Sequence, residues 1–347
     1  MTFPAPSPAQ VRISANDRSA AGGNSPRTCI GFGRLAARRQ WRKSVIFELP
    51  IPSDVFDVNL DDSAKIRVRR HGNPDGVRIL HSHGNGFAVD AYFPYWRHFL
   101  DRYDVTVFDF RNHGQNIPVE PPHHNYAQLT RDLERVIQAV NARLGAKKTI
   151  GIFHSMSART AMKHAIEVGW QWNALLLFDP PDVPPPGHAQ YRVMEKFEMR
   201  LNDFALKRQR KFASVDELTK VYLQSRATRN WVPGSHELMA RSVLRKNPDD
   251  DGFVLVCAPE NEAGIYREAM VLNLWPIASE FGGPVKLIGA DPTAEGAPAT
   301  AAANQALGTE GGYDYSYVKG GGHLLQIEEP EECFRLTMEF LTKHGLG

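Results

Sequence analysis

Thr149-Ile150-Gly151-Ile152-Phe153-His154-Ser155-Met156-Ser157-Ala158 is the stretch whose reading decides the fold. Thr149 to Phe153 has the short apolar character of a buried strand, and the polar His154-Ser155 ends it sharply. A helix runs on to about Val168, and Ala174 to Phe178 is again a buried strand. Upstream, Leu129, Leu133, Val136, Ile137, Val140 and Leu144 recur at three and four, which predicts an amphipathic helix over Tyr126 to Leu144. Working further outward, Val77 to His81 and Tyr103 to Phe110 read as strands, with a helix over Ala91 to Leu100 between them. Val45 to Leu49 and Ala64 to Arg70 read as a neighbouring pair. Downstream, Pro284 to Ile288 and Tyr315 to Val318 read as strands, and a terminal helix starts near Glu328 or Pro330. Strands and helices in alternation with short connections predict an α/β fold: a mostly parallel sheet covered by helices on both faces.

That alternation lapses after Phe178. Pro180, Pro181, Pro184, Pro185 and Pro186 break the chain, and residues 188 to about 250 are mixed, helical and charge-rich. The expected organisation is a tail or arm over 1–43, a core over 44–182, a mainly helical cap with its return over 183–270, and the rest of the core over 271–347. The first 43 residues hold eight Lys and Arg against one acid, Asp17. That composition suits an organelle presequence or a loose basic arm, and the arm is preferred; no secretory apolar core follows a charged start. Hydrophobic residues at 42% and charged residues at 23% describe an ordinary globular protein, and a net charge of +2 gives no bulk attraction to nucleic acid. No apolar run is long enough to span a bilayer. Cys29, Cys257 and Cys333 are scattered and odd in number, so they suggest neither a disulfide framework nor a metal cluster, and they favour a cytoplasmic setting.

In a parallel sheet, ligands gather at the carboxyl ends of the strands. Ser155, Asp291, His323 and His83-Gly84-Asn85-Gly86 all follow strands, so folding would bring a nucleophile, an acid and a base together in the chain order Ser, Asp, His. Other readings stay open. Ser155 could be a plain helix cap, Ser157 the nucleophile, and Asp291 a turn residue ahead of Pro292. The main rival of Asp291 is Asp179, at the end of another strand; Glu260 and Glu262 are more distant. His81, His83, His113 and His154 are expected to serve local packing and hydrogen bonds, and Asp109 to fix the turn after it.

These landmarks resemble the α/β-hydrolase family over roughly residues 45 to 345. Phe153-His154-Ser155-Met156-Ser157 resembles the family's G-x-S-x-G elbow, and His-Ser-Met is similar to esterase and monoacylglycerol-lipase-like members. Phe153 and Ser157 stand where the family has glycines, which relieve crowding in the turn. Asp109-Phe110-Arg111-Asn112-His113-Gly114 resembles D-x-R-G-H-G, with Asn112 in place of a glycine. Gly289-Ala290-Asp291 resembles the acid's loop, and Gly320-Gly321-Gly322-His323 the histidine's. The resemblance implies Ser155 as nucleophile, His323 as base and Asp291 as its orienting acid. The N–H of Met156, at a helix start, is expected to receive the oxyanion, and the resemblance implies the N–H of Asn85 as the second donor.

The reaction expected is cleavage of an ester, amide-like or lactone bond in a small to medium, partly apolar molecule, with no cofactor and no metal. Phe87, Tyr92, Met194, Phe197 and Trp231 are candidate substrate contacts, although core packing is the commoner role for such residues. Cleavage of a carbon–carbon bond beside a ketone, or ligand binding without catalysis, are the alternatives. The partner is a small-molecule substrate, without nucleic acid or integral membrane association. The arm and the cap offer two faces for a homodimer, neither carrying a heptad.

Overall fold

The computed structural model describes residues 46–119 and 123–347. Among the described residues, six strands precede the cap: β1 (Asp54–Asn59), β2 (Lys65–Gly72), β3 (Arg78–His81), β4 (Asp104–Phe108), β5 (Thr149–His154) and β6 (Ala174–Phe178). With β10 (Val285–Gly289) and β11 (Asp314–Tyr317) they form one sheet in the order β1-β2-β4-β3-β5-β6-β10-β11. β2 pairs antiparallel with β1 and β4, and every later pairing is parallel. Residues 174–178 are all buried, as strands covered on both faces must be. Alternate residues feed two cores. Ile150 and Ile152 pack on one side, Phe153 and Leu177 on the other.

The helices follow the periodicity where it is strong. α2 (Tyr126–Leu144) starts at Asn125, whose side chain accepts the Gln128 N–H. α3 (Met156–Glu167) follows β5 directly, and α10 (Pro330–Lys343) closes the chain behind the short α9 (Leu325–Glu328). Two expectations change. Ile46 to Leu49 carries no strand, and β2 takes β1 as its partner instead. Pro50 and Pro52 separate that stretch from β1, where Phe56 and Val58 turn inward and Val55, Asp57 and Asn59 are exposed. The helix expected over Ala91 to Leu100 is split into two 3-10 turns around a short α1 (Phe93–Trp96). Tyr92, Phe93, Tyr95, Trp96 and Phe99 all bury their rings there, more than one amphipathic stripe can accommodate.

Between β6 and β10 the chain forms α4 (Tyr191–Leu206), β7 (Lys211–Phe212), α5 (Val215–Gln224), α6 (Ser235–Val243), β8 (Leu244–Lys246), β9 (Phe253–Leu255) and α7 (Pro259–Ala269). Its three strands pair antiparallel as β7-β9-β8, a small sheet that the helical reading lacked. Strands of two and three residues are too short to show a period. α8 (Ala299–Glu310) then lies between β10 and β11.

Candidate active site

Ser155 sits between β5 and α3 with φ 53° and ψ −117°, a conformation that costs a side-chain-bearing residue energy and is held by its surroundings. Its N–H donates to Phe178 O at 2.9 Å, tying the turn to β6. The two missing glycines find physical substitutes. Ser157 Oγ accepts the His154 N–H and donates to His154 O, both at 2.9 Å, so its hydroxyl braces the turn. Phe153 is buried against Trp172, with ring centroids 5.5 Å apart. Room for it comes from Gly151, where a Cβ would stand 2.8 Å from the Phe153 ring and 2.8 Å from Leu175.

His323, in the loop after β11, brings Nε2 to 3.0 Å from Ser155 Oγ. Its Nδ1 lies 2.6 Å from Oδ2 of Asp179, not of Asp291. Asp179 is fully buried, and three further donors hold its carboxylate: Ala290 N–H at 2.9 Å, Asn304 Nδ2 at 2.8 Å and Thr300 Oγ1 at 2.5 Å. Asp291 has turned to its own loop. It accepts from the N–H and hydroxyl of Thr293 at 2.8 and 2.7 Å and from the Gly320 N–H at 2.8 Å, and these bonds lower its pKa, Gly320 foremost. Asp291 therefore shapes the loops around His323, and the expectation that it meets the imidazole is corrected.

The loop of the expected oxyanion donors abuts this group. A Cβ on Gly84 would stand 2.8 Å from His154 Nδ1 and 3.2 Å from Ser155 Cβ. The Gly84 N–H donates to the Tyr92 hydroxyl at 3.1 Å, and the Gly86 N–H to His113 Nε2 at 3.0 Å. The Asn85 N–H between them has no acceptor among the described residues. Met156 opens α3, where the first N–H groups have no partner within the helix. On the cap side, Asn85 Nδ2 donates to Glu262 O at 2.9 Å, and Glu262 pairs with Arg208.

Buried histidines connect the loops. The Tyr92 hydroxyl reaches His154 Nδ1 at 2.7 Å, and His154 Nε2 reaches His323 O at 2.8 Å. Burial holds the His154 pKa well below its usual range, so the ring is neutral. Its Nε2–H donates to the His323 carbonyl while Nδ1 accepts from Tyr92. A relay thus runs from Gly84 through Tyr92 and His154 to the backbone of His323. His83 donates Nδ1–H to Gly84 O at 2.8 Å and accepts the Phe110 N–H at 3.0 Å. His81 bonds Ile152 O at 2.8 Å. Asp109 accepts the N–H groups of Val89 and Gln115 and fixes the turn after β4.

The aromatic and sulfur candidates are placed less simply. Tyr92 is drawn into the relay instead of facing a ligand. Trp231 packs against Tyr222 and His236 inside the cap, with centroids 5.4 and 5.3 Å away. Met194 is buried with Val183 and Ala303, Phe197 packs beside them, and Phe87 packs partly buried against the larger core. A buried ionic group went unread in the sequence. Arg159, one helical turn beyond Ser155, meets Asp182 Oδ1 at 3.1 Å, Glu198 Oε1 at 2.9 Å and the Tyr126 hydroxyl at 2.9 Å. Burial raises Asp182 to about 6 and Glu198 to about 7 against the opposing pull of Arg159. Glu198 belongs to α4, so this ion pair joins the cap to the helix behind Ser155.

A hydroxyl bonded to an imidazole whose other nitrogen is held by a buried carboxylate can lose its proton to that imidazole and attack a carbonyl. Sheet order and elbow together define the α/β-hydrolase class of fold. The model of the alpha/beta hydrolase family matches residues 79–336, and the chain belongs to that family. No curated protein matches it. Among solved structures it is similar to E-2-(acetamidomethylene)succinate hydrolase, with TM-score 0.65 and 17% identity over 83% of this chain and 99% of that one. It is similar to the thioesterase domain from the curacin biosynthetic pathway, with TM-score 0.61 and 16% identity over 82% and 98%. N-formylmaleamic acid deformylase from Pseudomonas putida S16 gives TM-score 0.57 and 16% identity over 82% and 100%. Family and neighbours support a hydrolase. No helix among the described residues is long and apolar enough to cross a membrane.

Proposed function

We propose that the protein is a serine hydrolase that cleaves an ester, amide-like or lactone bond through an acyl-enzyme on Ser155. The observation that carries this reading is the pair of hydrogen bonds from His323, 3.0 Å to Ser155 Oγ and 2.6 Å to Asp179. His323 takes the Ser155 proton as Oγ attacks the carbonyl carbon, then returns it to the leaving group as the bond breaks. Asp179 fixes the Nδ1–H tautomer and supports the imidazolium. The N–H groups of Met156 and Asn85 receive the oxyanion, each worth roughly 3 kcal/mol in the transition state. Water then releases the acyl group by the same proton path in reverse.

Two of the similar structures carry names with N-acyl groups, acetamidomethylene and formylmaleamic, and the third is a thioesterase. These names suit a compact acyl or N-acyl substrate. The test is labelling of the folded protein with a fluorophosphonate probe. Modification of Ser155, and its loss in Ser155→Ala and His323→Ala, is the expected result. An unlabelled wild-type protein, or a label on another serine, would overturn the proposal.

A further inference from the structure

Three consecutive glycines, Gly320 to Gly322, lead into His323, and glycine loses more backbone freedom on folding than any other residue. Yet the imidazole has to stay 3.0 Å from Ser155 Oγ and 2.6 Å from Asp179. The loop is tethered residue by residue. The Gly320 N–H donates to Asp291 at 2.8 Å, the Gly321 N–H to Val318 O at 2.9 Å, and the His323 carbonyl accepts from His154 at 2.8 Å. Both chain neighbours of His323 then turn to one residue. The Gly322 N–H donates to Oε2 of Glu328, and the Glu328 N–H donates in turn to Leu324 O at 3.0 Å. Gly322 packs so closely that a Cβ there would stand 2.9 and 3.0 Å from the two carboxylate oxygens. Glu328 ends α9, is only 6% exposed, and no Lys or Arg among the described residues bridges to it. Burial raises its carboxyl above the ordinary range, against the pull of the Gly322 N–H and of His323. A buried acid without a cation costs stability, so its presence is explained by what it holds.

We propose that Glu328 is a positioning residue of the site: it clamps His323 from both sides, through the N–H before it and the carbonyl after it, and holds the imidazole between Ser155 and Asp179. The role rests on the hydrolase reading of that triad, although the clamp itself is formed in the resting protein. Glu328 moves no proton; it acts through the backbone on either side of the ring. An amide at 328 can still accept the Gly322 N–H, and a methyl cannot. Glu328→Gln therefore keeps the clamp and Glu328→Ala opens it.

Two readings on the full-length protein test this: fluorophosphonate labelling kinetics at Ser155, and the far-downfield proton resonance of the His323 Nδ1–H, assigned by its absence in His323→Ala. In Glu328→Ala the maximal labelling rate is expected to fall on the order of tenfold to a hundredfold, as for a misplaced base. The half-saturating probe concentration stays close to wild type, and the resonance broadens or vanishes. Glu328→Gln is expected to keep the resonance and most of the rate. A residue that only stiffened the fold would lower the melting temperature and leave both readings alone. Should Glu328→Ala fail to fold, Gly322→Ala decides, because its methyl displaces the carboxylate and opens the same clamp. A folded clamp-open variant that keeps the wild-type rate and resonance overturns the proposal, as does a Gln variant that loses both as fully as the Ala variant. An unlabelled wild-type protein would end the hydrolase reading alone, since the resonance is read without turnover and still decides whether Glu328 holds His323.

Discussion

Asp179 follows Phe178 at the end of β6 with φ 42°, and its N–H donates to Ile288 O on the neighbouring β10 at 2.8 Å. That turn swings its carboxylate under His323, while three donors keep it from rotating away. Asp291 leaves β10 two residues past its end and spends both oxygens on Thr293 and Gly320. An amide in place of the Asp179 carboxylate would keep its shape but favour the wrong imidazole tautomer, at a cost of about 10⁴ in rate by analogy with other triads. Asp179→Asn is therefore expected to slow fluorophosphonate labelling of Ser155 by several orders of magnitude, whereas Asp291→Asn stays within a few-fold of wild type. Stopped and quenched labelling time courses measure both. Equal losses in the two variants would return Asp291 to the centre of the site.

At the scale of elements, one buried pair joins the cap to the helix that follows Ser155: Glu198 on α4 against Arg159 on α3. Burial lifts the Glu198 carboxyl to about 7, above its ordinary value of 4.5. An acid held above its unfolded value binds its proton more tightly when folded. Its contribution to stability is thus complete below about pH 4.5 and is lost as the pH rises through 7. Glu198→Gln cannot titrate, so its melting temperature should fall furthest short of wild type at pH 5 and approach it at pH 8. A difference that is constant with pH would mean that Glu198 is not held in its protonated form by burial. None of this ionic group shows as a pattern in the sequence, because Arg159, Asp182 and Glu198 belong to three different segments. What shows is whatever repeats: the three-and-four spacing that gives α2, and the unbroken apolar runs of β5 and β6. β1, the split α1 and the cap's small sheet lack such a repeat. The site divides in the same way. Ser155 and His323 stand out because each follows a strand beside a distinctive neighbour, a helix start for Ser155 and three glycines for His323. Asp179 and Asp291 both end strands that pair side by side, so choosing between them needs the turn geometry itself. The bond from Tyr92 to His154 is likewise invisible until the loops are folded.

Across the whole molecule, the carboxyl ends of the central strands are packed with imidazoles in place of apolar groups. His81, His83, His113 and His154 all lie buried around the Gly84 loop, and each has its pKa lowered, first of all by burial. His81 falls to about 4 and His83 to about 3, from an ordinary 6.5. A base held below its unfolded value stabilises the fold fully above about pH 6.5, and that stability drains away as the pH falls toward the folded value. Raised acids such as Asp182 and Glu198 act in the opposite sense over the same range, so the total acid response does not isolate the histidines. A single replacement does. His81 lies edge-on to Tyr92 and Tyr95 with its Nε2 unpartnered, and a phenyl ring can occupy that space. His81→Phe loses the bond to Ile152 O, at a cost of about 1 kcal/mol near pH 7.5. At pH 4.5 the wild type also bears the cost of keeping His81 neutral, on the order of 2 to 3 kcal/mol, and the variant does not. Urea unfolding at the two pH values should therefore find the variant weaker at 7.5 and the stronger of the two at 4.5. A deficit of the same size at both would show that His81 is free to take up its proton in the folded protein.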